Sequence, residues 1–299
     1  MTEYVDNRLI DGVICDSGVK MKYENQNFKG ERAQFFSCDD VYENCVFDDG
    51  ESPLKESKNA KLNNCTFGWK YPLWYSKNPE VKNTLWLKEA RSGVWYTKNI
   101  SVENSRIIAP KNFRRCENVK LSSVVFEDAL ETMWGCNGVS LENVTVKGDY
   151  FGMNSENISA KNLKIDGNYC FDGGKNIEVT DSVLNSKDSF WNVKNAVVRN
   201  STIIGEYIGW NSENLTFIDC HIESHQGFCY IKGLKLINCT LKNTDLAFEY
   251  CSDIDADISG TIDSVKNPTS GTIVADKIDE IILEENRVDV KATAIKARK

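Results

Sequence analysis

The chain has few of the features that mark linkers, membranes or metals. Proline is scarce, 5 residues in 299, and no serine- and glycine-rich stretch replaces it, so no interdomain linker is marked. No apolar run reaches the roughly 18 residues a spanning helix needs, which argues against a membrane segment. The opening MTEYVDNRLIDG has neither a basic n-region nor an apolar h-region, so the expected location is the cytoplasm. Basic excess is absent as well. Lysine plus arginine is 36 against 44 for aspartate plus glutamate, a net charge of −8, which excludes nucleic acid and anionic membrane as expected partners. With 2 histidines, His221 and His225, and no C-x-x-C among 11 cysteines, no metal site is expected. No nucleophile elbow, P-loop, G-x-G-x-x-G or metalloprotease motif occurs, and no cofactor is implied. The cysteines are expected as free thiols serving as small buried apolar residues.

What is there is a repeat. KNAKLNNCTF (58–67), KNIEVTDSVL (175–184), KNAVVRNSTI (194–203) and ENLTFIDCHI (213–222) share one pattern of asparagine, alternating apolar residues, a second Asn or Asp, and a small residue. Numbered by the small residue, the copies run Gln26, Cys45, Cys65, Thr84, Ser105, Val124, Val144, Leu163, Ser182, Ser201, Cys220, Cys239 and Ile258, always 19–21 residues apart, with a weaker copy near Ile278. The residue before the small one is nearly always Asn or Asp, as in Asn64, Asn143 and Asp219; six before it stand Asn59, Asn78, Asn99, Asn118, Asn157, Asn176, Asn195 and Asn214. Asn and Asp tolerate a left-handed bend, and stacked amides form ladders. Between the bends, period-two alternation over a few residues indicates strand.

A strand-and-turn unit of this length cannot bury its apolar face alone, but stacked in register it encloses a continuous core. The expected fold is all-β: a single-stranded right-handed parallel β-helix of about 13 coils, one domain over 1–299. Residues 1–20 and 279–299 are expected as caps on coils spanning 21–278, because open sheet edges invite aggregation. Leucine-rich repeats lack this consensus, and a propeller blade needs about 40 residues or more.

The segments FKGERAQFF (28–36), SPLKES (52–57), WKYPLWYSK (69–77), SGVWYTKNI (92–100), GDYFGMNS (148–155), GEYIGWNSENL (205–215) and TDLAFEY (244–250) cover nearly the whole chain. On them the sequence resembles a bacterial family of right-handed parallel β-helix proteins known only as a domain of unknown function. That resemblance implies the fold and carries no catalytic residue across. The wider pectate-lyase-like superfold consists mostly of secreted polysaccharide lyases and hydrolases; this chain shows no copy of their calcium-binding carboxylate set.

Candidate chemistry lies in the other half of each coil. Ten residues before each small one stand Phe35, Lys55, Trp74, Trp95, Arg114, Trp134, Met153, Asp172, Trp191, Trp210, Cys229 and Phe248, a column holding five of the 7 tryptophans. Its amino-terminal neighbour is nearly all apolar or glycine and is expected inside, which sets the tryptophan column outside. Three residues further back a mixed column includes Lys111, Glu131, Tyr150, Tyr169, Asp188 and Tyr207. Rings interleaved with charged groups suit a saccharide, so Trp74, Trp95, Arg114, Trp134, Asp172, Trp191, Trp210, Tyr150 and Tyr207 are the candidate ligand contacts. The stripe also reads as a self-stabilising stack with Arg114 between Trp95 and Trp134. A third reading makes it an interface with a partner or a second copy. If the protein is an enzyme, Glu131, Asp172 and Asp188, with Arg114 or Lys111 beside a uronate, are the candidates for a hydrolase or lyase. Glu131 is equally suited to pairing with Lys111 one coil away.

Overall fold

The computed structural model describes residues 20–298. Within one coil the strand Lys98–Glu103 buries Ile100 and Val102, Asn104 bends the chain at φ 46°, and the strand Arg106–Ile107 buries Ile107. The next coil lays Glu117–Ser122 parallel to the first strand, with Val119 beside Ile100 and Leu121 beside Val102. The same register carries on through Val139, Ile158, Ile177, Ala196 and Leu215, so each apolar column becomes one interior stripe. Parallel pairing extends from Lys22–Glu24 to Thr293–Ala297, and the described residues contain no helix. The chain is a right-handed parallel β-solenoid of about 15 turns.

That is slightly more than the repeat count. The weak copy near Ile278 is a full strand, Gly271–Ile282, and Thr293–Ala297 pairs with it in register from Gly271–Thr293 to Ala275–Ala297. Residues 279–299, expected as a cap, therefore carry a further strand, and Arg298 ties it down through Asp257 and Asp276. The cap expected over 1–20 lies outside the described residues except at residue 20.

The asparagine bends have the expected conformation: Asn64 at φ 53°, Asn143 at 55° and Asn176 at 55°. Their amides bond from coil to coil, Asn78 Nδ2 to Asn59 Oδ1 at 2.8 Å, Asn99 to Asn78 at 2.8 Å and Asn195 to Asn176 at 3.0 Å. A left-handed conformation costs an ordinary L-residue about 1–2 kcal/mol, and a locally bonded Asn pays least of it.

The core is the space between the sheets. Phe47, Phe67 and Trp86 stack there at 5.1 and 5.0 Å. The column expected inside is buried at Leu54, Leu73, Val94, Phe113, Met133, Phe171, Phe190 and Phe228, each ring contributing about 2–3 kcal/mol. Two residues assigned to the outward column are buried instead. Phe248 follows a loop one residue longer than its predecessors, so the left-handed bend falls on it at φ 70° and turns its ring onto Phe228, 5.7 Å away. Cys229 is covered by Glu249, which Gln226 and Lys266 hold at 2.9 Å each.

Candidate functional site

The outward column forms a stripe in which Trp74, Trp95, Trp134, Trp191 and Trp210 are all half-buried. Trp74 and Trp95 stack at 5.0 Å and 10°, and Trp191 and Trp210 lie 5.7 Å apart. Tyr150 and Tyr169 stack at 4.8 Å and 5°, Trp134 meets Tyr150 edge-on at 6.4 Å, and Tyr169 meets Trp191 edge-on at 5.6 Å. Where the column carries Arg114 instead of a ring, its guanidinium sits 5.1 Å from Trp95 and 4.4 Å from Trp134. A cation between two ring faces continues the stack without a break. Four indole N–H groups donate into the corner of the next coil: Trp74 to the Ser92 carbonyl at 2.5 Å, Trp95 to Lys111 at 3.0 Å, Trp134 to Tyr150 at 2.7 Å and Trp191 to Tyr207 at 2.8 Å. These indoles brace successive coils, and their polar edges are already engaged.

Glu131 shares this bracing. One of its oxygens receives both the Arg114 guanidinium and Lys111 Nζ, the latter at 3.2 Å. Partial burial pushes its carboxyl up, but the two cations outweigh that and hold it below the ordinary glutamate range. Glu131, Lys111 and Arg114 thus form a closed charge triad. Asp172 accepts a hydrogen bond from Asn192 Nδ2 at 2.9 Å. In the stack Glu131 stands two coils from Asp172 and three from Asp188, about 10 and 15 Å, too far for those pairs to share one bond.

A concavity of about 610 Å³ opens immediately before the tyrosine part of the stripe. Four successive coils line it with Lys147, Gly148 and Asp149; Asp166, Gly167 and Asn168; Asn185 and Lys187; and Ile204, Gly205 and Glu206. The glycines explain the hollow. A Cβ on Gly167 would lie 2.1 Å from the Gly148 carbonyl oxygen, and one on Gly205 2.2 Å from that of Ser186. The backbones stack closely at these glycines, which keeps side chains out of the groove there, while Ser186 at the same position buries its hydroxyl, which accepts from the Cys170 N–H at 3.4 Å. The lining of the groove is cross-linked from coil to coil: the Asn168 N–H donates to Asp149 Oδ1 at 2.7 Å, Asn185 Nδ2 to Asp166 Oδ1 at 3.0 Å, and Lys187 Nζ pairs with Glu206 at 2.9 Å.

The residues that follow the lining, Tyr150, Tyr169, Asp188 and Tyr207, all take φ between 47° and 60°. Asp188 breaks the tyrosine run. It is only 2% exposed, and its Oδ1 and the adjoining Ser189 hydroxyl have no hydrogen-bond partner among the described residues. Burial pushes this carboxyl above the ordinary aspartate range, while a hydrogen bond offered by the Tyr169 hydroxyl and the charge of Lys187 pull it back.

Nine cysteines are free and buried, which fits packing; burial alone pushes the Cys170 thiol up to about 12. Cys38 departs from the expectation of free thiols and is disulfide-bonded.

The structure thus gathers Trp74, Trp95, Arg114, Trp134, Tyr150, Trp191, Tyr207 and Trp210 along one stripe, and leaves Asp172 beside it on an amide. Sequence reasoning missed the groove residues Lys147, Asp166, Asn168, Asn185 and Lys187. The available signal was the recurrence of Gly148, Gly167 and Gly205 at one position of the repeat, with Ser186 between them.

The chain belongs to the family described as "Protein of unknown function (DUF3737)", whose model matches residues 21–296. No curated protein matches the sequence. Among solved structures it is similar to a mutant tailspike protein of E. coli bacteriophage HK620, at 9% identity and a TM-score of 0.39, over 86% of this chain and 61% of that one. It is also similar to the A-module of the Azotobacter vinelandii mannuronan C-5 epimerase AlgE4, at 10% identity and TM-score 0.30, over 93% and 90%. A third is the Streptococcus pneumoniae surface protein and adhesin PfbA, at 12% identity and TM-score 0.33, over 96% and 80%. This chain spans less than two thirds of the tailspike's length.

Proposed function

For this member of a family of unknown function, we propose saccharide binding, with the ligand lying along the groove from Lys147 to Glu206 against Tyr150, Tyr169 and Tyr207. One observation carries the reading: a hollow of about 610 Å³, lined mostly by charged and amide residues, crosses four coils, and the stacked pair Tyr150 and Tyr169 follows that lining directly in the chain. A sugar presents apolar faces and a rim of hydroxyls. The rings suit the faces, and the carboxylates and amides of the lining suit the hydroxyls. Four coils span about 15 Å, the reach of a short chain of sugars rather than a single one. Trp74, Trp95, Trp134 and Trp191, with their N–H groups engaged, support the corner from the flank.

The test is calorimetric titration of the whole protein with linear oligosaccharides, alongside Tyr150→Ala and Tyr169→Ala. Binding weakened about tenfold by either substitution is expected, the scale of a lost ring contact. A wild-type protein that binds none of them overturns the reading.

A further inference from the structure

We infer that the amino-terminal coils of the stripe, apart from the groove, bind an anionic saccharide. The overall acidity of the chain conceals a basic stretch: residues 51–120 hold 14 lysines and arginines against 6 glutamates and no aspartate, a local excess of +8 in a chain of net −8. The corner segments of four successive coils, ESPLKESK (51–58), KYPLWYSK (70–77), RSGVWYTK (91–98) and PKNFRRCE (110–117), carry nine of these cations and three of the carboxylates. Leu54, Leu73, Val94 and Phe113 fill the core from these segments, and none of the nine cations is buried. At the groove the sign reverses. DYFGMNSE (149–156) and EYIGWNSE (206–213), at the same place in the repeat, hold four carboxylates and no cation.

Several of these cations are already engaged. Lys55 meets Glu56 at 3.7 Å, Lys70 meets Glu51 at 3.0 Å, Lys98 meets Glu117 at 3.0 Å, and Lys111 and Arg114 share Glu131. Lys58, Arg91 and Arg115 enter no ion pair among the described residues, so an anion reaches them without displacing a carboxylate. Beside them Tyr75 and Tyr96 stack at 4.9 Å and 10°, with Lys55 Nζ 5.6 Å from the first ring and the Arg115 guanidinium 6.0 Å from the second. The rings turn their faces to each other and to cations, and present their edges and hydroxyls, which hold no hydrogen bond among the described residues. A nucleobase needs an open ring face and gains little here. A peptide strand needs an unpaired edge, yet the Tyr75 N–H is bonded to the Trp95 carbonyl at 2.9 Å and the Tyr96 N–H to that of Arg114 at 2.9 Å. A sugar needs neither. Its hydroxyls pair with the phenols and its acid groups with Lys58, Arg91 and Arg115, which are spread over four coils, about 15 Å.

The experiment is calorimetric titration of the whole protein with hexagalacturonate, with the same chain fully methyl-esterified, and with hexaglutamate, at low and at physiological ionic strength. The uronate chain is expected to bind at least about tenfold more tightly than its neutral ester, with the advantage shrinking as salt is raised. Arg115→Asn combined with Lys58→Gln, checked for folding by circular dichroism, is expected to weaken the uronate about tenfold and leave the ester unchanged. Asparagine suits the bend at 115, since Asn154, Asn192 and Asn211 take it at the same place in other coils. Tyr96→Phe, which keeps the ring and removes the hydroxyl alone, is expected to weaken the uronate about threefold and stands in should the double variant misfold. No uronate binding, an ester bound equally well, or affinity unchanged in these variants overturns the inference. Hexaglutamate binding as tightly as the uronate also overturns it, in favour of an acidic peptide. Uronate binding lost in Tyr150→Ala but kept in the double variant places the sugar in the groove, which overturns this inference and leaves the groove reading standing.

Discussion

The solenoid turns the same left-handed bend at two kinds of corner and holds each by different chemistry. At the asparagine corner, Asn176 bends at φ 55° and its amide joins Asn157 at 2.9 Å and Asn195 at 3.0 Å. Residue type, backbone and coil-to-coil bonding all agree there. At the aromatic corner, Tyr150 and Tyr169 adopt φ of 60° and 57° with side chains poorly suited to it, a strain of about 1–3 kcal/mol each, while Asp188 at 59° is of a type that tolerates the bend. What holds them is backbone pairing between coils, such as the Tyr150 N–H to the Asn168 carbonyl at 2.8 Å and that of Tyr169 to Lys187 at 2.9 Å. Residues unsuited to the bend recur at this corner along the whole solenoid, at Tyr71, Lys111, Glu131 and Gln226 as well as beside the groove.

The largest effect expected on this contrast comes from Gly167→Ala. Its Cβ would press on the Gly148 carbonyl and force two coils apart, at a cost of about 3 kcal/mol visible as a lowered urea midpoint. A midpoint that hardly moves would mean the coils at the groove are not clamped, and the contrast between the corners would fail.

Next comes a paired swap. Asn176→Ala loses both amide bonds and the residue suited to the bend, so a loss of about 1–2 kcal/mol is expected. Tyr150→Asn puts the favourable residue at the other corner; stability should change by less than about 1 kcal/mol in either direction while saccharide affinity falls. A Tyr150→Asn protein that binds normally would show that the aromatic corner is structural after all.

The smallest effect is a pair of opposite pH signatures. Burial raises the Asp188 carboxyl above its unfolded value, so the folded state holds its proton longer and loses stability as pH rises through that window. Asp188→Asn should melt about 2 °C higher at neutral pH, with the gain vanishing in acid. Glu131 is held below its unfolded value by Lys111 and Arg114, so its stabilisation is present above the carboxylate range and lost as pH falls. Glu131→Gln should melt lower at neutral pH and match the wild type in acid. Melting curves from pH 3 to 8 check both; shifts of the same sign would contradict the burial and pairing described for these two groups.

Much of the fold was legible because a parallel solenoid requires the same kind of residue at the same place in every coil. The column holding Leu121, Val179 and Phe217 reads as interior from spacing alone. The outward set of the tryptophans was legible by alternation. It failed at Phe248, where one added residue shifts the bend, and at Cys229, where Glu249 covers an outward position. The groove was illegible for a different reason. The recurrence of Gly148, Gly167 and Gly205 marks its place without showing that the position is hollow, which follows from the close approach of the backbones across coils.

The sequence by itself determined the period, the direction of the strands, the bends and the composition of the stripe, since in-register stacking turns a linear repeat directly into columns. Only the tertiary structure decided which charges are spent and which remain. Glu131 is engaged with two cations and Asp188 is left with an oxygen unpartnered among the described residues, although both are carboxylates in the same column. Their partners come from neighbouring coils and are selected by the direction and burial of each side chain, which no single repeat contains.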